Sequence, residues 1–65
     1  MERFHIYRMR SNTKPRDFIW QTENGPYKYI GLKRECEPSE LERFNLEIVG
    51  KMTRRAFENY SKKRR

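Results

Sequence analysis

Apolar and polar positions alternate along residues 3–9, RFHIYRM, with Phe4 and Ile6 on one side and His5, Tyr7 and Met9 on the other. A period of two marks a half-buried strand, because successive side chains leave a strand on opposite faces. This predicts a first strand over about 3–9. Two more short runs, rich in aromatic and branched residues, predict strands over about 18–22 and 27–32. Between them lies ENGP. Asn24-Gly25 is the preferred pair for a two-residue hairpin turn, since both residues tolerate positive φ. Pro26 follows, where it must sit at a position that donates no ladder hydrogen bond. The register that results pairs Thr22 with Tyr27, Gln21 with Lys28, Trp20 with Tyr29 and Ile19 with Ile30. Phe18, Trp20, Tyr27 and Tyr29 then share one face, and Ile19, Ile30 and Leu32 share the other with Gln21 and Lys28.

From Glu40 onward the period changes. At 100° per residue, Leu41, Phe44, Ile48, Val49, Met52, Ala56 and Tyr60 fall in one sector, with Arg43, Glu47, Gly50, Arg54 and Glu58 opposite. Ser39 with Glu42 three residues later has the form of a capping box. Glu47–Lys51 and Glu58–Lys62 are favourable i,i+4 pairs. Gly50 costs a helix about 1 kcal/mol against Ala, yet the apolar stripe crosses it in phase. The expectation is one helix over about 40–60.

The predicted fold class is therefore α+β: a three-stranded antiparallel sheet (3–9, 18–22, 27–32) packed on one C-terminal helix. Residues 1–65 form a single small domain with a basic tail at 61–65. One helix covers one face of a sheet and leaves the other for water or a partner. Two arrangements stand open. The rings pack on the helix and leave Ile19, Ile30, Leu32 and Lys28 outside, or the aliphatic side is core and the rings are exposed beside Lys28 and Lys33.

Composition bounds the chemistry. Hydrophobic residues make up 34% of the 65 and charged residues 38%, so the core is thin for a chain near the lower size limit of independent folding. Cys36 is the only cysteine, which excludes an internal disulfide and suits a reducing compartment. His5 is the only histidine, so zinc sites of the usual Cys and His kinds cannot be assembled. The opening MERFHIYRMR has no apolar run and reads as neither signal peptide nor membrane span, so the expected location is the cytoplasm. Without a glycine-rich phosphate loop, a nucleophile with its base, or an acidic cluster on a strand, no catalytic residue, cofactor or metal is expected. Cys36 lies between two glutamates, whose charge disfavours a reactive thiolate.

Charge carries the functional signal. Sixteen Lys and Arg stand against nine Asp and Glu, giving +7 and a pI near 10, a balance that favours a polyanionic partner. Residues 1–33 hold seven basic and three acidic side chains, and 34–50 hold two basic and five acidic. Residues 51–65 hold seven basic and one acidic. Positive charge thus sits at both ends of an acidic middle. Arg8, Arg10, Lys14 and Arg16 surround the loop RSNTKPR, Lys28 lies on the hairpin, and Lys62, Lys63, Arg64 and Arg65 form the tail. These nine are the candidate phosphate contacts, positioning a nucleic acid without reading its sequence. Trp20, Tyr27 and Tyr29 are the candidate partner or stacking surface, since bases stack on exposed rings.

Strand, loop, hairpin and helix, with NGPYKYIGLKRE leading toward the helix, resemble the three-stranded arm-binding domains of tyrosine integrases over roughly residues 17–49. The resemblance implies a sheet laid in the DNA major groove and supported from behind by the helix. The chain departs from that family in lacking its usual Gly-Thr after the last strand. On this analogy duplex DNA is preferred over RNA.

The function expected from these readings is that of a small basic nucleic-acid-binding protein, an accessory or regulatory factor of a phage or mobile element. The alternative is an inhibitor or adaptor that docks on a host or partner protein through an uncovered sheet face or an edge strand. Homodimerisation through the same face would thicken the core.

Overall fold

The computed structural model describes the backbone of residues 2–63 and the side chains of residues 2–60. Its elements are β1 (Arg3–Met9), β2 (Trp20–Asn24), β3 (Tyr27–Leu32), α1 (Pro38–Arg43), β4 (Leu46–Thr53) and α2 (Arg54–Lys63). The strands form one antiparallel sheet in the order β2-β3-β1-β4. The class is α+β as expected, with four strands and two helices in place of three and one.

The hairpin turns on Gly25-Pro26, with Asn24 opposite Tyr27, Thr22 opposite Tyr29 and Trp20 opposite Gly31. A turn on Asn24-Gly25 would need the N–H of Pro26 to close it on the carbonyl of Glu23, and proline has none. Placing Pro26 inside the turn removes the conflict. Gly25 takes φ 64° at the first turn position, the arrangement in which glycine is required there. The register thus slips by two from the expected one, and β2 moves from 18–22 to Trp20–Asn24. A slip of two keeps every side chain on its face, so Trp20, Tyr27 and Tyr29 still share a side. Phe18, now outside the strand, packs on the other.

The single helix expected over 40–60 is interrupted by a strand. α1 begins after Glu37, whose backbone N–H donates to Glu40 Oε1 at 3.2 Å, with Pro38 at its first turn. The cap therefore falls two residues before Ser39. α1 ends at Phe44 and Asn45, where Asn45 takes φ 56°, a left-handed position that asparagine tolerates better than most residues. The chain then pairs along the open side of β1 as β4. Ile6 faces Gly50 and Tyr7 faces Ile48, so Val49 is an extra residue, a β-bulge. Gly50 beside it has φ 153°, which side chains rarely adopt. Thr53 then caps α2, its Oγ1 accepting the N–H of Ala56 at 3.1 Å.

Each helix covers a different face of the sheet. Tyr7, Met9, Ile30, Leu32, Cys36 and Leu46 form one buried cluster, against which Phe18, Leu41 and Phe44 pack from the α1 side. Ile6, Trp20, Tyr29 and Phe57 form the other, joined by Phe4, Val49, Met52 and Tyr60 beneath α2. Neither arrangement left open by the sequence holds as stated, because a second helix buries Ile30 and Leu32 as well as Trp20 and Tyr29, and neither face is left bare across its centre. Phe57, only 2% exposed, is the helix residue at the middle of the ring cluster. Its centroid lies 5.3 Å from that of Trp20 and 5.0 Å from that of Tyr29, within the range of favourable ring contact. No helix among the described residues is long and apolar enough to cross a membrane.

Candidate functional site

β1, β3 and the two loops that flank them bring cationic side chains to the hairpin-tip end of the sheet. Arg8 lies opposite Tyr29 and Glu47, on the α2 side. Its Nε donates to Glu47 Oε1 at 2.7 Å, Nη2 donates to the same oxygen, and the guanidinium stands 4.5 Å over the Tyr27 ring. Glu47 raises the Arg8 pKa through these hydrogen bonds, so the charge is permanent. Lys28 lies opposite Met9 on the α1 side, and its Nζ donates to Asn12 Oδ1 at 3.3 Å. Arg10 sits between them. Its backbone N–H donates to the Asn45 carbonyl at 3.1 Å, while its exposed side chain has no hydrogen bond or ion pair among the described residues.

Two open depressions meet at Arg10. One, of about 400 Å³, is lined by Arg8, Met9, Arg10, Pro26, Tyr27 and Glu47. Its neighbour, of about 150 Å³, is lined by Met9, Arg10, Ser11, Asn12, Pro26 and Lys28. Three of the expected phosphate contacts, Arg8, Arg10 and Lys28, are therefore gathered in one corner. Lys14 and Arg16 are not part of it. Lys14 stands 5.4 Å over the Phe18 ring and Arg16 is exposed further along the loop. The side chains of Lys62 and Lys63, and all of Arg64 and Arg65, lie outside what the structure describes.

The aromatic surface divides. Trp20 and Tyr29 are 7% and 1% exposed and belong to the ring cluster, so their faces are closed to an external base. Tyr27, at 42%, is the ring of the three that remains open. Nor can a bare sheet lie in a groove as the integrase-like arrangement implies, because helices cover both faces.

Two carboxylates of the acidic middle, Glu40 and Glu47, and Asp17 from the loop after β1 are bound by arginines. Arg34 donates from Nη1 and Nη2 to the two oxygens of Glu40 at 2.7 and 2.6 Å, and from Nε and Nη2 to Asp17, the latter at 3.2 Å. These hydrogen bonds hold both carboxyls below the usual carboxylate range and raise the Arg34 pKa. Glu47 is likewise bound to Arg8. Glu47, which lines a depression with Arg10, is thus tied up by Arg8, whereas the Arg10 side chain has no ion pair among the described residues. Sequence spacing hid these pairs, since Asp17 and Arg34 meet only through the fold.

Burial pushes both the Tyr7 hydroxyl and the Cys36 thiol up, and a thiol so shifted is a poor nucleophile at neutral pH. Among the described residues, no three of His, Cys, Asp and Glu come together to hold a metal ion. Arg54 and Arg55 at the start of α2 were missed as surface groups in their own right. The available signal was Thr53 ahead of Phe57 and Tyr60, a capping residue before apolar positions three apart.

No family model, curated protein or solved structure matches this chain.

Proposed function

We propose that the chain is a small nucleic-acid-binding protein that takes backbone phosphates at the hairpin-tip corner, through Arg10 with Arg8 and Lys28, and with the basic tail. The observation that carries the reading is the Arg10 side chain in an open depression, without an ion pair among the described residues, while Arg8 binds Glu47, the carboxylate that lines the same depression. Lys14 and Arg16 extend the positive loop, and Tyr27 offers a ring at its edge. Tyr60 lines a depression with Arg8, Glu47 and Val49, so the chain enters its basic tail beside this corner. The mechanism is electrostatic positioning: the cationic side chains neutralise phosphates and release their condensed counterions, so affinity falls with salt. The protein acts by binding, as an accessory or regulatory factor.

The test is fluorescence anisotropy with labelled duplex DNA, single-stranded DNA and single-stranded RNA at about 50 and 200 mM salt. Neutralising six or more phosphates costs about 10³ in affinity across that range. Arg10→Ala and Lys28→Ala should each weaken binding and lower the salt slope by about one. Weak binding that is equal for all three ligands and indifferent to Arg10 would sink the reading.

One observation favours a second reading. Ile48 is 68% exposed on β4, a strand paired on one side only and reached only in part by the short α1. An edge strand with an exposed apolar residue suits strand addition by a partner protein, which would make the chain an inhibitor or adaptor. Such binding would depend on Ile48 and change little with salt.

A further inference from the structure

We infer that α2 is a reading helix for the major groove of duplex DNA, with Arg55 and Asn59 contacting base edges. The inference rests on the nucleic-acid reading above and adds which element reads and which duplex is read. α2 buries Phe57 and half-buries Tyr60 against the sheet, while Arg54, Arg55, Glu58 and Asn59 are exposed. Arg55 and Asn59 lie four residues apart and close to diametrically opposite Phe57, on the face turned furthest from the sheet. A membrane-surface helix would turn its apolar side outward, and here that side is committed to the core.

The dimensions agree. Ten residues of helix span about 15 Å with a diameter of about 10–12 Å, and the B-form major groove is about 12 Å wide. At about 3.4 Å per base pair, the helix covers roughly four base pairs. Residues four apart lie about 5–6 Å from each other, so Arg55 and Asn59 reach neighbouring pairs. Arg binds guanine O6 and N7 in bidentate fashion and Asn binds adenine N6 and N7.

Cations stand at both ends of this stripe. The Arg54 guanidinium is held 5.1 Å over the Trp20 ring at the start of the helix. At its other end Tyr60 shares a depression with Arg8, beside Arg10. A helix with the bidentate groups of Arg55 and Asn59 in the middle, Glu58 on its flank and cations at both ends fits a groove between two phosphate strands. A-form RNA offers no such site, because its major groove is too narrow for side chains to read.

The experiment is selection of binding sites from a randomised duplex DNA library, followed by dimethyl sulfate interference on the selected duplex. Methylation at guanine N7 marks the major groove, and at adenine N3 the minor groove. The expected result is a shared site of about four base pairs, with interference at guanine N7. Arg55→Lys keeps the charge but loses the planar fork, and it should cut the preference for selected over scrambled DNA by about tenfold or more. Asn59→Ala should do the same at an adenine, and binding to scrambled DNA should be unchanged in both. If Arg10→Ala weakens binding but Arg55→Lys and Asn59→Ala leave the preference intact, phosphate binding stands and the reading helix falls. Interference confined to adenine N3, or equal affinity for double-stranded RNA, also overturns it. Wild-type protein that binds no nucleic acid at all overturns both readings.

Discussion

The Trp20 indole lies across its cross-strand partner Gly31, in the space a side chain would occupy. A Cβ at position 31 would stand 2.7 Å from Nε1 and nearer still to the ring carbons. Trp20 meets the Phe4 ring edge-on at 5.8 Å and the tilted ring of Phe57, so it has no free direction in which to retreat. Gly31→Ala should therefore cost about 1–3 kcal/mol through overpacking, a large share of the stability of a chain this size. Urea unfolding followed by fluorescence checks it directly, since Trp20 is the only tryptophan. A midpoint unchanged from wild type would mean that the ring has another place to go.

Phe57 is the main anchor of α2 on the sheet, with Tyr60 half-buried beside it. Phe57→Ala removes ring contacts to Trp20, Tyr29 and Tyr60 at once and should cost about 3–5 kcal/mol. The loss exposes Trp20, so its emission should shift to the red under conditions where wild type is folded. Ala56→Ser, one residue away on the exposed surface, is the control and should leave the emission unchanged.

The bulge at Val49 explains why half of the fold was hard to read. Along β1 the period of two is unbroken, and the expected strand matches the observed one. In β4, Leu46 and Ile48 line up with Met9 and Tyr7, and after the extra residue Gly50 and Met52 line up with Ile6 and Phe4. Ile48, Val49 and Met52 therefore fall at i, i+1 and i+4, which is helical spacing produced by a two-sided strand with a bulge. That Arg10 lies in a loop and Lys28 on a hairpin strand was legible because charge and loop chemistry are local. Glu47 as the partner of Arg8, and Asp17 and Glu40 as partners of Arg34, depend on contacts far apart in sequence. Trp20 and Tyr29 offered no local sign that a second helix would cover them.

Arg34 makes the fold sensitive to acid. Its hydrogen bonds hold Asp17 and Glu40 below their usual range, while in the unfolded chain they titrate near 3.9 and 4.3. A carboxyl with a depressed folded pKa binds protons less readily when folded, so its stabilisation is fully present above the unfolded value. It is lost as pH falls from about 4 through the lower folded values. Arg34→Gln should therefore lower the urea midpoint at pH 7, and the gap to wild type should close as the pH drops below about 4. All three side chains are partly exposed, so the effect is modest and shrinks in high salt. A gap that stays constant with pH would assign the loss to packing of the arginine stem.

Tyr7 ties the segment after β3 to the centre of the sheet. Its hydroxyl accepts the backbone N–H of Cys36 at 2.8 Å, with Tyr7 and Cys36 only 2% and 6% exposed. Tyr7→Phe keeps the ring but leaves that N–H buried without an acceptor, at a cost of about 1–3 kcal/mol. Cys36 itself reports the result. Burial first, and the nearby Glu40 charge second, push its thiol up, so labelling by a disulfide reagent at pH 8 requires the segment to open. Wild type should label slowly and Tyr7→Phe faster, in proportion to the fall in opening free energy. If the variant labels no faster than wild type while its urea midpoint falls, the hydroxyl stabilises the sheet as a whole and not this segment. If neither changes, another acceptor takes the Cys36 N–H, and the tie is not one the fold depends on.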